Sequence, residues 1–126
     1  MAVAFQPNKP VWVTTLGLAL TAVGYALGVV GLVALGRSFS LFPEARRLVM
    51  HGPYRLVRHP LYLAELVATL GVAVVLFRPE AFLLYAAHVT CQIWRICLEE
   101  RLLEKTFPEY ARYKIRTPFA LIPWVF

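Results

Sequence analysis

The residues able to do chemistry gather in two short stretches of this 126-residue chain. The first reads His51-Gly-Pro-Tyr-Arg-Leu-Val-Arg-His-Pro-Leu-Tyr62, the second Trp94-Arg-Ile-Cys-Leu-Glu-Glu-Arg-Leu-Leu-Glu104. Together they supply Tyr54, Arg55, Arg58, His59, Tyr62, Arg95, Glu99 and Glu100. Guanidinium groups can orient a carboxylate by a planar two-point contact, and imidazole and carboxylate can carry protons. Each residue also has a plainer reading. Arg55 and Arg58 can grip lipid headgroups, and a backbone carbonyl can satisfy His59. Arg95 and Glu99 sit four apart on a helix, the spacing of an ordinary surface pair. Glu100 is turned ~100° from Glu99, so the two acids need not share a partner. Glu65 reads as snorkelling near an interface, and His88 as a helix–helix hydrogen-bonding residue. Other chemistries find no support. The chain holds no HxxxH or CxxC metal spacing, and neither GxGxxG nor GxxxxGK[ST]. Ser38 and Ser40 carry no nucleophile signature. No metal site is expected.

The elements that position these stretches follow from composition. The chain is 60% hydrophobic and 16% charged, lacks Asp, and has a mean hydropathy of +0.63. Soluble domains carry about 25% charged residues. Residues 11–36 form an uncharged run, long enough at ~1.5 Å per residue to cross a ~30 Å hydrocarbon layer. The reading is an all-α, polytopic, integral membrane protein: one domain over residues 1–126, with about three transmembrane helices. Helix one covers residues 11–35, helix two begins at Pro60 or Leu61 and runs to about 77, and helix three runs from about 80 to about 106. Arg78-Pro79-Glu80 makes the turn between the last two, and Pro108 closes helix three. A signal peptide is a poor reading of helix one, because the apolar run is too long and no small-x-small cleavage site follows Leu35.

The charges set orientation. Arg37, Arg46, Arg47, Arg55 and Arg58 lie in the loop before helix two, and the segment after helix three is equally basic. Both therefore face the cytoplasm. That explains a pI near 9.8 without a nucleic-acid partner. If helices two and three form a hairpin, the two chemical stretches meet at this membrane face, and ionisable groups clustered at membrane depth make a candidate site. Helix one carries Gly17, Gly24, Gly28 and Gly31. The small-xxx-small pair Gly24 and Gly28 suits close approach by another helix, including one from a second copy. Cys91 and Cys97, nearly opposite on helix three, read as reduced core residues.

Leu35-Gly-Arg-Ser-Phe-Ser40, Leu48-Val-Met-His-Gly-Pro-Tyr-Arg-Leu-Val-Arg-His-Pro-Leu-Tyr62, Glu99-Glu-Arg-Leu-Leu-Glu-Lys-Thr-Phe-Pro-Glu-Tyr-Ala-Arg-Tyr113 and Ile122-Pro123, in this order, resemble the isoprenylcysteine carboxyl methyltransferase family and its phospholipid methyltransferase relatives. The resemblance covers about residues 35–123. It implies S-adenosylmethionine as cofactor in a pocket at the cytosolic face. It places Tyr54, Arg58, His59, Pro60 and Tyr62 on the cofactor, with Glu99 and Glu100 closing the pocket from helix three. Arg95 matches an arginine that faces the acceptor carboxylate. Arg95 and Glu100 are thus the expected catalytic residues, Glu100 serving as base or electrostatic partner if the acceptor is an amine. The implied acceptor is lipid-like or prenylated, with carboxylate O-methylation favoured. Family members commonly carry one or two further spans before this core, where this chain has one helix. Two other readings compete. One is a nicotinamide-dependent membrane reductase of the sterol-reductase type, with Arg46, Arg47, Arg55 and Arg58 on phosphates. The other is a non-enzymatic membrane subunit packing through Gly24 and Gly28.

Overall fold

A computed structural model describes residues 8–36, 50–123 and 126. It contains α1 (Val11–Leu35), a single 3-10 turn (Gly52–Arg55), α2 (Pro60–Leu76), α3 (Pro79–Thr106) and α4 (Tyr110–Arg116). Among the described residues there is no strand. The three long helices fall where the hydropathy pattern puts them, within a residue or two at each end.

α1 is apolar all round, so burial rather than polarity distinguishes its faces. Its buried positions are Val13, Gly17, Gly24 and Gly31, while Val11, Trp12, Tyr25, Val29 and Val33 are exposed. Small residues inside and large ones outside is the reverse of a water-soluble helix, and it is the packing expected in lipid, where close backbone approach replaces the hydrophobic drive. The approach is intramolecular. A Cβ on Gly24 would stand 2.6 Å from the Cα and Cβ of Ala68, one on Gly17 2.7 Å from the Gly71 carbonyl, and one on Gly31 2.8 Å from the Leu61 side chain. Partner numbers fall as α1 numbers rise, so the two helices are antiparallel. The glycine face expected to receive another helix, from this chain or from a second copy, is turned to α2 of the same chain, where Ala64, Ala68 and Gly71 offer an equally small surface. At the far end the Lys9 Nζ donates to the Val75 carbonyl.

The α2–α3 turn takes two residues. Phe77 adopts a left-handed conformation (φ 48°), and its N–H donates to the Ala73 carbonyl at 2.9 Å. Arg78 is extended, and Pro79 opens α3, where a missing N–H costs nothing. α1 and α3 are each long and apolar enough to cross a membrane, and α2, at 17 residues, is shorter. Cys91 and Cys97 are free, as expected, but exposed rather than in the core. They lie on the apolar outer surface of α3, which a membrane would cover.

The core sits at the loop end. Leu66 of α2 and Ile96 of α3 pack with Ala120 and Leu121, flanked by Tyr62, Leu63, Tyr85 and Val89. The C-terminal segment is therefore part of the hydrophobic centre. It is fixed there by backbone bonds at 2.9 Å from the Arg58 N–H to the Phe119 carbonyl and from the His59 N–H to the Ala120 carbonyl. The basic aromatic stretch after Pro108, expected only as a tail, forms α4. Its Tyr110 and Tyr113 are both buried. Seven residues are too few to show a period, although aromatics three apart after a proline are the available signal.

Candidate active site

The antiparallel hairpin brings the start of α2 and the end of α3 together, as the sequence requires. His59 precedes Pro60, which occupies the first position of α2 and fixes where the helix begins. His59 is 3% exposed, and its Nε2 lies 3.0 Å from Glu100 Oε1. Arg58 Nε donates to the same oxygen at 2.6 Å, and its Nη1 donates to the carbonyls of Thr117 (3.1 Å) and Pro118 (2.7 Å). The Tyr110 hydroxyl lies 3.5 Å from Glu100 Oε1, and Lys114 Nζ stands 3.7 Å from Oε2 and 2.8 Å from Glu104. Glu100 thus ties the pre-α2 loop, α3, α4 and the C-terminal segment together. His59 is a buried member of that knot, not a loop side chain answered by a backbone carbonyl.

Glu99 faces elsewhere, as the helical rotation predicts. It accepts a 2.5 Å hydrogen bond from the Tyr62 hydroxyl. Arg95 does not pair with Glu99. Its guanidinium carbon lies 5.0 Å from the centre of the Tyr62 ring, a cation–π placement, and its Nη1 donates to Gln92 Oε1 at 3.2 Å. The Tyr62 ring is itself 5.6 Å from that of His59. Tyr62, Arg95, Glu99, His59 and Glu100 are therefore one continuous cluster, half-buried and open on the Arg95 side.

Tyr54 and Pro60 support it. Tyr54 is buried in the 3-10 turn, and its carbonyl accepts from the Tyr113 hydroxyl at 2.7 Å. Burial, then the nearby Glu99 charge, pushes the Tyr54 phenol up to about 12. Burial likewise raises Tyr110 and Tyr113, with the Glu100 charge adding to the shift at Tyr110 and Tyr54 at Tyr113. Pro60 lines an apolar cavity of about 160 Å³ with Leu27, Val30, Pro53, Leu56, Val57, Leu63 and Pro123. Arg55 is exposed, and Arg46 and Arg47 lie outside the described residues. Glu65 and His88 approach to 3.7 Å across the α2–α3 interface, but His88 Nε2 makes no hydrogen bond, so the helix–helix hydrogen bond expected of His88 is not formed. The sequence alone did not point to Gln92, Tyr110, Tyr113, Lys114 or Thr117. Among the described residues no group of three metal-ligating side chains gathers.

Antiparallel helices packed through small residues, with a polar cluster at one end, make this a helical membrane protein. The chain belongs to the phospholipid methyltransferase family, whose model matches residues 12–110. It is 31% identical over 125 residues to protein-S-isoprenylcysteine O-methyltransferase B of Arabidopsis thaliana, covering 90% of this chain and 61% of that protein. It is 36% identical over 118 residues to the cobalt-zinc-cadmium resistance protein CzcN of Cupriavidus metallidurans, covering 85% of this chain and 50% of that one. The fold matches the structure of the eukaryotic intramembrane Ras methyltransferase ICMT (isoprenylcysteine carboxyl methyltransferase). The TM-score is 0.80 at 26% identity, over 90% of this chain and 43% of that one. The chain spans about half to three fifths of the length of the curated relatives it matches.

Proposed function

We propose that the chain is an S-adenosylmethionine-dependent methyltransferase that esterifies the carboxylate of a prenylated or lipid-like acceptor at the cytosolic membrane face. The observation that carries this reading is Arg95. It is a cation with donors free to reach outward, held over Tyr62 beside the His59–Glu100 knot, where α3 leaves its apolar stretch. The cytosolic side follows from the excess of arginine and lysine at this end. The residues suit the cofactor by chemistry. Tyr62 offers an aromatic face to a cation, and Glu99 a carboxylate to an ammonium or a ribose diol. Tyr54, Arg58, His59 and Pro60 would form the wall on the loop side.

S-adenosylmethionine, when bound, supplies a methyl group on a sulfonium. The chain's part is positional. Arg95 orients the acceptor carboxylate through its guanidinium fork and keeps one oxygen in line with the methyl carbon. Glu100, engaged by Arg58 and His59, locks the loop to α3 and so closes the pocket against water. The prenyl or acyl part of the acceptor remains in the bilayer against the apolar outer faces of the helices. Glu100 is a poor partner for an amine acceptor, since Arg58 and His59 already occupy its Oε1 and Lys114 stands near its Oε2. That weighs against phospholipid amine methylation, the reading the family's description would otherwise favour.

The test is transfer from labelled S-adenosylmethionine to a panel of prenylcysteines and phospholipids, with adenosylhomocysteine binding measured in parallel. A base-labile label, released as methanol, is expected on the prenylcysteines. A base-stable label on an amine would overturn the acceptor assignment, and absence of adenosylhomocysteine binding would overturn the methyl-transfer reading.

A further inference from the structure

Gln92 of α3 is the most completely buried polar side chain described, at 0% exposure. A buried amide is normally satisfied on both sides, because an unpaired donor loses its water for no return. Gln92 is satisfied on one. Arg95 can only donate, so the contact at 3.2 Å fixes the amide with its oxygen toward the guanidinium. That leaves the nitrogen, buried like the rest of the side chain, as the unanswered group: Gln92 Nε2 has no hydrogen-bond partner. The amide's nitrogen and oxygen share one carbon, so the free N–H lies within a single carboxylate's span of the Arg95 guanidinium. Glu99, the nearest acid on the same helix, is committed to Tyr62. The result is a pair of donors, one charged and one neutral, with no acceptor between them.

We propose that Gln92 is a specificity-determining residue that grips one oxygen of the acceptor carboxylate while Arg95 holds the other. The inference rests on the methyl-transfer reading above and extends it from one residue to a two-point clamp. The clamp selects by charge and by geometry. An oxyanion satisfies both donors, whereas an ammonium meets two donors and is repelled by one. A carboxamide satisfies one donor with its oxygen and sets its own N–H against the other. A buried amide retained at a stability cost is intelligible when a ligand oxygen completes it.

The experiment uses the full chain in nanodiscs and an N-acylated S-prenylcysteine, with its carboxamide as control. Binding is followed by calorimetry and turnover by label transfer. Wild type should bind the carboxylate at least tenfold more tightly than the carboxamide. Gln92→Leu removes the orphan donor, so it should melt no lower than wild type while the carboxylate loses about ten- to a hundredfold in affinity or KM. Gln92→Glu keeps the side-chain shape but neutralises Arg95, and should lose at least as much. Adenosylhomocysteine affinity should stay within twofold in both variants. Carboxylate binding unchanged in Gln92→Leu or Gln92→Glu, or a wild type that does not prefer carboxylate to carboxamide, would overturn the clamp. Failure of the underlying reading shows separately, as a wild type that binds no adenosylhomocysteine. Because the binding measurement needs no turnover, the clamp is tested in either case.

Discussion

The α1–α2 seam and the polar end of the molecule are held by opposite means. The seam is made of Gly17, Gly24, Gly31, Ala64, Ala68 and Gly71, and its strength is the absence of side chain, which lets one backbone lie on another. The polar end is made of large polar groups that meet at Glu100, reached from Arg58 and His59 on one side and Tyr110 and Lys114 on the other. The seam specifies shape and, at Gly17, Gly24, Gly31 and Gly71, leaves no room for added volume. The polar end specifies geometry through partners, and tolerates no missing charge. A membrane protein needs both, because burying hydrocarbon does not by itself bring helices together in lipid, whereas an unpaired charge there is costly.

The sharpest way to break the seam is Gly24→Leu. Its side chain has to displace α2 backbone at Ala68, not a flexible side-chain tip. Overpacking usually costs about 1–3 kcal/mol, and a collision with backbone belongs at or beyond the top of that range. The expected result is loss of the compact fold, read as rapid proteolysis of the loop before α2 in detergent. A variant that melts like wild type would show that α1 can swing away from α2 freely.

The polar end separates two adjacent acids. Glu100→Gln leaves Arg58, 10% exposed, facing a neutral amide, and stranding one member of a buried pair costs about 3 kcal/mol. Glu99→Gln keeps a hydrogen-bond acceptor for Tyr62 and should cost less than about 1 kcal/mol, with its damage appearing in adenosylhomocysteine affinity. Equal melting losses in the two variants would erase the distinction between the glutamate that ties the polar end together and the one proposed to face the cofactor.

The unequal legibility of the two regions has the same origin. α1, α2 and α3 are written in local hydropathy, and Pro60 and Pro79 mark their starts, so the hairpin and the meeting of Tyr62 with Glu99 follow from sequence. So does the divergence of Glu99 from Glu100, which one residue of helical rotation dictates. Arg58's partner is 42 positions away and could not be read, because no local pattern says which acid a cation will choose. The glycine stripe was legible as a contact face, but its partner was not, since Ala64, Ala68 and Gly71 of α2 look unremarkable without the register. α4 and the burial of Ala120 and Leu121 were missed because short segments at the end of a chain carry no period, and their place is set by backbone bonds to Arg58 and His59.

Alkali should distinguish the regions without any mutation. Tyr54 is pushed up to about 12, and Tyr110 and Tyr113 are raised as well, whereas no residue of the seam titrates. A raised folded-state value means the unfolded phenol ionises first. The stability these tyrosines contribute is therefore whole below about pH 10, the ordinary tyrosine value, and is lost as pH climbs toward 12. Hydrogen exchange between pH 10 and 12, corrected for its intrinsic acceleration, should rise in α4 and the 3-10 turn before it rises in α1. Simultaneous opening would mean that the polar end and the seam unfold as one unit.

The smallest expected effect has the opposite sign and lies within the seam itself. Gly24 and Gly28 are the two ends of one small-xxx-small pattern, and the sequence gives no reason to treat them differently. The structure does. A Cβ at Gly28 meets the Ala64 Cβ at 3.8 Å, an ordinary van der Waals contact, whereas at Gly24 it collides with α2 backbone. Alanine in a helix interior is favoured over glycine by about 0.8–1.0 kcal/mol in water, and it narrows the unfolded ensemble as well. With backbone hydrogen bonds already forced by the bilayer, only part of that gain should survive. Gly28→Ala should therefore raise the melting temperature slightly or leave it unchanged, while Gly24→Ala lowers it. If both alanines destabilise alike, α1 lies closer to α2 along its whole length than this register allows. If Gly28→Ala alone destabilises, the Gly28 face carries a second contact, and a partner helix on that side would be the explanation to pursue.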